Sequence, residues 1–447
     1  MDLRDALHSK IKSGNALVGI IGLGYVGLPL AHTLHSAGLR ILGFDTDPKK
    51  VEALAKGRSY IKHLGDSVAQ SLAESGRFSA TTDLTRLHEA DAIIVCVPTP
   101  LGKHLEPDLS YVTQSAAAIG RTLRPGQLVV LESTTYPGTT RGDFAPAMMN
   151  AAKAAGRQGT LGTDVFVAFS PEREDPGRRS HTTKTIPKLV GGLDAASTTL
   201  AAELYRKGVE QVIEVSSAEV AESAKLLENI FRAVNIAMVN ELKVVLTAMG
   251  IDIWEVIAAA STKPFGFMPF HPGPGLGGHC IPIDPFYLTW KAREYGHSTR
   301  FIELAGEINT GMPRYVVEQT AAALNDAGRP VRGSRILIMG LSYKADIDDP
   351  RESPSFELIH QFRELGAVVD YSDPHVPSTW PGRAHDLAMH SVAMTPQSVA
   401  GYDVVLIATA HRAFDYGLVA EHARLVVDTR NAMRPFAGDM GPRLVRA

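Results

Sequence analysis

Cysteine is scarce in this chain of 447 residues, which contains only Cys96 and Cys280. Two cysteines so far apart can build neither a disulfide framework nor a cysteine-based zinc site. No apolar run reaches the roughly 18 residues that a membrane helix needs, and Met1–Asp5 holds acids where a signal peptide would be basic and then apolar. The net charge of −3 gives no reason to expect binding to nucleic acid or to an anionic membrane. We therefore expect a cytoplasmic protein, with neither nucleic acid nor membrane as a partner.

What the sequence does contain is typical of a globular protein, with 45% hydrophobic and 21% charged residues. A chain of this length predicts two or three domains. From about residue 14 to residue 215, short apolar runs alternate with helical stretches, which is the pattern of a parallel sheet covered on both faces. The runs that predict strands are Ala16–Ile21, Leu39–Asp45, Ala92–Cys96, Leu128–Glu132 and Val165–Phe169.

A long helix is predicted next, because Ser216–Met249 contains neither proline nor glycine and repeats apolar residues at helical spacing. Its length of roughly 50 Å suits a connector that also forms a subunit interface, so we expect a homodimer. A second helix is predicted over Pro285–Gly311, and strands between Arg335 and Asp428 indicate a second sheet. The predicted fold is α/β, with two Rossmann-like doubly wound sheets joined by a central helical domain. The expected domains are 1–215, 216–312 and 313–447.

A glycine motif, Gly22-Leu23-Gly24-Tyr25-Val26-Gly27, follows the first predicted strand and opens a helix. In a dinucleotide-binding loop the first glycine permits the turn, the second lets the backbone approach the pyrophosphate, and the third lets helix and strand pack closely. Asp45 ends the next strand, where a carboxylate binds the adenosine ribose and repels a 2′-phosphate, so NAD is favoured despite Lys49 and Lys50. The alternative is a glycine turn that binds nothing. The residues expected to hold the cofactor are Gly22, Gly24, Tyr25, Val26, Gly27 and Asp45.

Two polar stretches come directly after later strands, Val97-Pro98-Thr99-Pro100 and Glu132-Ser133-Thr134-Thr135. Ligands of an open parallel sheet bind outside the carboxyl ends of the strands. Pro98, Thr99 and Thr134 are therefore candidates for cofactor contact, with a simple turn as the alternative for each stretch.

The stretch from His271 to Pro285 is unlike the rest of the chain, since it holds four glycines and four prolines. Such a segment forms neither a regular helix nor a strand, and its glycines allow backbone N–H groups to reach a ligand. Cys280, with His279 beside it and Asp284 four residues on, has the pattern of an activated nucleophilic thiol. No metal site is expected, because His279 and Cys280 lack further ligands at useful spacing. Cys96, on an apolar strand, is interpreted as a buried small hydrophobe.

Lys225 and Asn229 stand four residues apart on the long helix and therefore share one of its faces. A buried ammonium with an amide neighbour can stabilise an alkoxide or oxyanion as charge develops. The alternative for this pair is a solvated helix face.

Together these motifs resemble those of the nucleotide-sugar 6-dehydrogenases, the family of UDP-glucose dehydrogenase. The likeness covers nearly the whole chain. Its motifs are Gly22–Gly27, Val97–Pro100, Glu132–Thr134, Ser170–Arg173, Lys225–Asn229, Gly277–Asp284 and Gly340–Lys344.

The resemblance implies an NAD-binding N-terminal domain, a dimer-forming helical centre and a C-terminal domain that helps to bind UDP. It also implies two successive oxidations of a C6 alcohol, with the aldehyde trapped on Cys280 as a thiohemiacetal and then oxidised to a thioester. Lys225 and Asn229 would stabilise oxyanions, and Asp284 would transfer protons through a water held with Thr134. The resemblance also implies a catalytic or substrate-binding role for Glu172 and substrate contacts for Arg173, Lys225, Asn229, Gly275, Gly277, Gly278 and Lys344.

The chain departs from the UDP-glucose enzymes at two positions. Pro176 stands where they carry a second catalytic glutamate, so Glu172 or Glu174 is expected to take that role. Pro264 stands where they carry an arginine that reaches the partner's substrate, and Arg232 on the long helix is a candidate replacement.

The sugar is suggested by Gly277–Pro282 and Ser170–Arg173, which resemble the branch that oxidises N-acetylated sugars, and by Pro285–Glu294, which resembles the UDP-N-acetylglucosamine enzymes. The expected substrate is UDP-N-acetylglucosamine, for a surface polysaccharide precursor, with UDP-N-acetylmannosamine or UDP-glucose as the alternative. Two hypotheses from other classes are a single-step β-hydroxyacid dehydrogenase and a non-enzymatic NAD-sensing module. The second would leave Lys225 and the Cys280 segment without a task.

Overall fold

The computed structural model describes residues 2–61, 64–102, 104–173, 182–278, 281–379 and 387–447. The chain divides into two compact units. One comprises Met1–Glu228 with Phe286–Ser298, and the other comprises Asn229–Pro285 with Thr299–Ala447. Among the described residues, no helix combines the length and the apolar character that crossing a membrane requires.

The first unit is built on an eight-stranded sheet, and the five strands predicted there are confirmed to within one residue at each end. Its strands are β1 (Leu17–Ile21), β2 (Arg40–Phe44), β3 (Phe78–Thr81), β4 (Ala92–Val95), β5 (Gln127–Leu131), β6 (Val165–Phe169), β7 (Lys188–Gly192) and β8 (Val212–Glu214). They lie in the order β3-β2-β1-β4-β5-β6-β7-β8, and all neighbours are parallel except β6 and β7. The order reverses between β1 and β4, which is where open sheets of this kind bind ligands.

Helices cover both faces of this sheet, as the alternation of its apolar residues requires. On β4, for example, Ile94 packs into the core on one face and Ile93 into the core on the other. The helices of this part of the chain are α1 (Leu3–Ser13), α2 (Gly27–Ser36), α3 (Pro48–Ala55), α4 (Gly65–Glu74), α5 (Ser110–Thr122), α6 (Ala145–Ala154) and α7 (Ala195–Tyr205).

The predicted long helix is confirmed as α8 (Ala218–Ala248), which belongs to the first unit as far as Glu228 and to the second from Asn229. It is followed by α9 (Ile253–Ala260), α10 (Asp284–Glu294) and α11 (Arg300–Asp326). The single helix predicted over Pro285–Gly311 is wrong, since α10 ends before Gly296 and α11 begins at Arg300. Gly296 has a φ of 73°, and a glycine in this left-handed conformation ends a helix.

The second unit contains the predicted second sheet, in which all neighbouring strands are parallel. Its strands are β9 (Arg335–Met339), β10 (Val368–Ser372), β11 (Val404–Ile407), β12 (Val426–Asp428) and β13 (Leu444–Arg446), in the order β10-β9-β11-β12-β13. Its helices are α12 (Pro354–Glu364), α13 (Pro396–Ala400), α14 (Tyr416–His422) and α15 (Ala437–Met440). The predicted α/β class, with two such sheets and a helical centre, is therefore confirmed.

Candidate active site

The glycine loop lies between β1 and α2, and its three glycines meet different surroundings. Gly22 has a φ of 91°, and a Cβ there would lie 2.6 Å from the Cys96 carbonyl oxygen. A Cβ on Gly27 would lie 1.9 Å from the Gly22 carbonyl oxygen, so helix and strand meet too closely for any side chain. At Gly24 a Cβ would meet nothing within 4 Å, which leaves the backbone open to a ligand. Among the described residues no side chain caps the start of α2, and a helix N-terminus of this kind suits a pyrophosphate.

Asp45 connects the end of β2 to this loop. Its Oδ2 accepts hydrogen bonds from the Leu23 N–H at 3.0 Å and from Lys50 Nζ at 3.1 Å, and its Oδ1 accepts from the Asp47 N–H at 3.0 Å. The Tyr60 hydroxyl donates to the Leu23 carbonyl. The carboxylate therefore braces the loop at the position where a dinucleotide places its adenosine ribose, and the residues present fit the cofactor.

The polar stretches after β4 and β5 lie at the same edge of the sheet, because these two strands are parallel neighbours. Pro98 is exposed and Thr134 is half-buried, whereas Thr99 is buried and its carbonyl accepts a hydrogen bond from the Tyr287 hydroxyl. The Ser133 hydroxyl donates to the Val97 carbonyl at 2.7 Å and ties the two stretches together. Pro98, Thr99 and Thr134, the residues predicted to contact the cofactor, thus lie at one edge of the first sheet. The glycine loop follows β1 at the same edge, and its Tyr25 is exposed.

A buried carboxylate at this edge was not among the predicted site residues. The Glu132 side chain is 1% exposed, and its Oε1 lies 2.9 Å from Lys188 Nζ and also accepts a hydrogen bond from the Tyr205 hydroxyl. Its Oε2 is buried and has no hydrogen-bond partner in the part of the chain that the structure describes. The sequence signal for this site was a charged residue, Glu132, directly after an apolar strand. The residues that bind it, Lys188 and Tyr205, lie far along the chain and could not be paired with it from the sequence. Burial of the nearby Cys96 thiol raises its pKa, so the thiol stays protonated, although the residue as a whole is half-buried and not fully buried as predicted.

Glu132 lines a cavity together with Glu172, one of the predicted catalytic residues. Glu172 Oε2 lies 3.7 Å from the Lys225 ammonium, and both side chains are largely buried. The Lys225 position is therefore not a solvated helix face. The residues around this cavity are Val26, Leu30, Glu132, Glu172, Arg173, Thr183, Ile186 and Lys188.

Arg173 is held by protein groups. Its Nη2 lies 2.6 Å from Glu228 Oε1, its Nε lies 3.3 Å from Glu228 Oε2, and its Nη1 donates to the Pro187 carbonyl at 2.7 Å. This bidentate pair joins the stretch after β6 to α8. Contact between Arg173 and the substrate stays a prediction.

In the second unit, Asn229 and Asp284 contact each other directly. The Asn229 Nδ2 donates to Asp284 Oδ2 at 2.6 Å, and Asp284 is buried at the start of α10. The amide therefore fixes one carboxylate oxygen. Arg232, the candidate replacement for the family's arginine, is exposed on α8.

The glycines of the predicted nucleophile segment pack tightly against the loop after β9. A Cβ on Gly277 would lie 2.6 Å from the Tyr343 Cβ, and one on Gly278 would lie 2.9 Å from the Tyr343 ring. The Gly278 N–H donates to the Arg351 carbonyl at 3.1 Å. Gly275 has a φ of 135° and lies against α12. These glycines serve close packing within the second unit, whereas His279 and Cys280 lie outside the described residues.

Lys344 is half-buried in the loop after β9, which repeats part of the arrangement seen after β1. Gly340 has a φ of 88°, and the Leu341 N–H donates to Asp373 Oδ2 at 2.7 Å, as the Leu23 N–H does to Asp45. This second carboxylate also lies 3.0 Å from His411 Nε2, and it is fully buried.

His411 has both ring nitrogens in use, because its Nδ1 accepts from the Asp346 N–H at 2.9 Å. Atoms of Asp346, His375 and His411 that could each ligate a metal lie within 4.8 Å of one another. The contacts of His411 with the Asp346 backbone and with Asp373 already serve to fix the loop.

Comparison with known proteins identifies the family along most of the chain. Residues 16–209 match the NAD binding domain of the UDP-glucose/GDP-mannose dehydrogenase family, residues 219–311 its central domain and residues 337–435 its UDP binding domain. The chain is 37% identical over 401 residues to UDP-N-acetyl-D-glucosamine 6-dehydrogenase of Pseudomonas aeruginosa, which covers 89% of this chain and 91% of that protein.

Two further relatives are named for another sugar. UDP-N-acetyl-D-mannosamine dehydrogenase of Methanococcus maripaludis is 33% identical over 400 residues, covering 88% of this chain and 86% of that protein. The solved structure of a UDP-D-ManNAc dehydrogenase from Pyrococcus horikoshii has a TM-score of 0.83 at 30% identity, covering 93% of this chain and 96% of that one. This chain therefore belongs to the UDP-glucose/GDP-mannose dehydrogenase family and is an NAD-dependent UDP-sugar dehydrogenase.

Proposed function

We propose that this enzyme oxidises the C6 alcohol of UDP-N-acetylglucosamine to the carboxylate of UDP-N-acetylglucosaminuronic acid, a precursor for surface polysaccharide. The observation that carries the proposal is the buried Lys225–Glu172 pair beside the cavity at the glycine loop. An ammonium and a carboxylate at a cofactor site supply the charge stabilisation and proton transfer that alcohol oxidation needs.

The choice of sugar is supported by the relative at 37% identity, which is named for UDP-N-acetylglucosamine. The relatives named for UDP-N-acetylmannosamine are also similar, at 33% identity. The resemblance of Pro285–Glu294 to the N-acetylglucosamine enzymes favours the same sugar. UDP-N-acetylmannosamine is the principal competitor, followed by UDP-glucose.

In the first oxidation, the Lys225 ammonium stabilises the alkoxide that forms as the C6 hydroxyl loses its proton. Glu172, 3.7 Å from that ammonium, holds it in place and provides an oxygen that can carry the proton. When bound, NAD⁺ accepts the hydride in each oxidation step. The product of this step is the C6 aldehyde.

In the second oxidation, the Cys280 thiolate forms a C–S bond with the aldehyde carbon, which gives a thiohemiacetal. Loss of the second hydride leaves a thioester, and water then breaks the C–S bond to release the acid and the thiol. Asp284, oriented by the Asn229 amide, takes the proton from the attacking water. One alcohol, two NAD⁺ and one water thus become one carboxylate, two NADH and three protons.

The number of NADH molecules formed per sugar tests this function. With UDP-N-acetylglucosamine we expect two NADH per molecule consumed, measured by absorbance with the sugar limiting. UDP-N-acetylmannosamine and UDP-glucose in parallel assays should react far more slowly. One NADH per sugar would indicate a single-step dehydrogenase and would contradict the thioester mechanism, and none with any sugar would indicate a binding protein.

Substitution of the nucleophile gives a second test. Cys280→Ala should abolish formation of the acid while NAD⁺ binding, followed by calorimetry, is retained. Cys96→Ala is the matched control and should still form two NADH per sugar. Unchanged two-step turnover in Cys280→Ala would remove this residue from the chemistry.

We also propose that the enzyme is a homodimer formed through α8. Among the exposed large apolar side chains of this helix and of the residue that follows it, five lie at spacings of seven, four, three and four residues, which places them along one stripe. They are Phe231, Met238, Leu242, Val245 and Met249. A monomer would leave this stripe in water, whereas a second copy would bury it.

A further inference from the structure

We propose that Glu132 is a cofactor-binding residue, and that its Oε2 accepts a hydrogen bond from the carboxamide N–H of the nicotinamide ring. The proposal rests on NAD binding by this family and is independent of the sugar. It is carried by a buried carboxylate oxygen that has no hydrogen-bond partner among the described residues and belongs to a residue lining the cavity beside the glycine loop.

The position of Glu132 fits the length of a dinucleotide. Asp45 follows β2 and Glu132 follows β5, with β1 and β4 between them in the sheet. Three strand spacings separate the two carboxylates by about 14 Å. A dinucleotide that places its adenosine ribose at Asp45 and its pyrophosphate at the start of α2 extends across this same edge. Its nicotinamide half therefore reaches the ends of β4 and β5.

The contacts of Glu132 determine which kind of ligand group can bind there. Lys188 Nζ and the Tyr205 hydroxyl both bind Oε1, so the side chain cannot turn without losing two donors. A carboxylate oxygen accepts hydrogen bonds, so a ligand group that binds Oε2 must be a donor. Arg173, another residue at the cavity, directs its guanidinium to Glu228 and to the Pro187 carbonyl.

The cavity has the two properties that a nicotinamide ring requires. Val26 and Leu30 give it an apolar side against which a flat ring can pack, and Glu132 gives it an acceptor. The carboxamide group carries two N–H donors. Because burying an acceptor without a donor is unfavourable, binding of the amide relieves a cost that the protein alone leaves in place.

The test compares two oxidised cofactors that differ at this group, using calorimetric titration without sugar. One is NAD⁺ and the other is 3-acetylpyridine adenine dinucleotide, in which a methyl group replaces the carboxamide nitrogen. The native enzyme should bind NAD⁺ about tenfold more tightly, as expected for a hydrogen bond to a charged acceptor. In Glu132→Gln the two cofactors should bind within about twofold of each other, because the NH₂ of the glutamine replaces the acceptor.

Asp91→Asn is the matched control. Asp91 is a buried carboxylate of the same sheet, but it precedes β4 at the opposite edge and binds Lys10, Arg124 and the Leu17 N–H. This variant should keep the native preference for NAD⁺. Glu132→Asp retains a carboxyl group on a side chain that is one methylene shorter, so this variant should also lose the preference for NAD⁺. It provides the test if Glu132→Gln does not fold. Equal binding of both cofactors by the native enzyme, or an unchanged preference in the Glu132 variants, would overturn the proposal.

Discussion

Asp45 and Asp373 follow the second strands of their sheets, and each accepts a hydrogen bond from the residue after the glycine that ends the first strand. Their remaining contacts differ. Asp45 also binds Lys50, whose side chain is partly exposed, whereas Asp373 binds the fully buried His411. At the scale of single residues, an aspartate at the same position of each sheet thus lies at an edge that a ligand can reach in the first sheet, and in a buried contact within the protein in the second.

Replacement of Asp45 by alanine should weaken the preference for NAD over NADP by about tenfold, a change of about 1.4 kcal/mol. The change removes the charge that repels a 2′-phosphate and frees the Lys50 ammonium to meet it. The measurement is the ratio of dissociation constants for NAD⁺ and NADP⁺. Asp47→Ala, which removes a neighbouring acid that caps α3, should leave the ratio unchanged. An unchanged ratio in Asp45→Ala would exclude the ribose role.

Replacement of Asp373 by asparagine should remove an acid-dependent part of the stability. Burial by itself would raise the pKa of Asp373, but hydrogen bonds from His411 and from backbone N–H groups outweigh it and lower the pKa to about 2. Because the folded pKa lies below the ordinary value of 3.8, the stabilisation is complete above about pH 4 and is lost as the pH falls towards 2.

We expect Asp373→Asn to lower the free energy of unfolding at pH 7 by about 2 kcal/mol, the equivalent of this pKa shift. Urea denaturation at several pH values should show the difference from the native enzyme shrinking between pH 4 and pH 2. A difference that stays constant over this range would contradict the assignment.

At the scale of elements, the strands buried on both faces were predictable, because β1, β4, β5 and β6 are continuous apolar runs. The short β3 and β8 were not, since half-exposed strands of three or four residues carry little pattern. The break between α10 and α11 depends on the left-handed conformation of Gly296, which composition alone does not reveal.

Local geometry was predictable where a motif is local: the glycine loop lies between β1 and α2, and Lys225 and Asn229 lie on one helix. The roles of these residues stay predictions. The Glu132 cluster was not, because Tyr205 lies 73 positions from the carboxylate that it binds. The glycines of the nucleophile segment were expected to leave their N–H groups for a ligand, yet Gly278 donates to Arg351. Tertiary packing of this kind leaves no periodic signal in the sequence.

Lys243 on α8 provides a test at this scale. Its Nζ is buried and finds no hydrogen-bond partner among the residues that the structure describes. Burial, together with the charge of Arg430, lowers the pKa of Lys243 to about 7. Between this value and the ordinary 10.5, the unfolded chain binds a proton that the folded protein lacks. The free energy of unfolding should therefore rise with pH over that range.

We expect Lys243→Met to stabilise the protein at pH 7 by about 1–3 kcal/mol, since it removes an unsatisfied buried polar group. The gain should shrink as the pH approaches 10, in thermal unfolding followed by circular dichroism. Lys263→Met, at an exposed lysine, should change little. Destabilisation by Lys243→Met at pH 7 would show that the ammonium has a favourable partner.

At the scale of the whole molecule, the apolar stripe on α8 predicts association. Leu242→Glu with Val245→Glu places two charges within the stripe and should convert a dimer into a monomer, measured by analytical ultracentrifugation. Glu241→Gln, at an exposed neighbour outside the stripe, should leave the mass unchanged. A native enzyme that sediments as a monomer at micromolar concentration would contradict the proposed dimer.

The loop after β9 in the second sheet is held by buried protein contacts, which bears on how many dinucleotides the protein can bind at once. Asp373 is occupied by His411 and by backbone N–H groups, and no helix begins at Gly340 to receive a pyrophosphate, since α12 starts only at Pro354. In the described part of the chain, a single edge therefore suits a dinucleotide. On the proposed mechanism, two oxidations at one edge would require the first NADH to depart and a fresh NAD⁺ to enter while the half-oxidised sugar remains. The proposed covalent bond to Cys280 would then act as a tether that keeps the intermediate in place during this exchange.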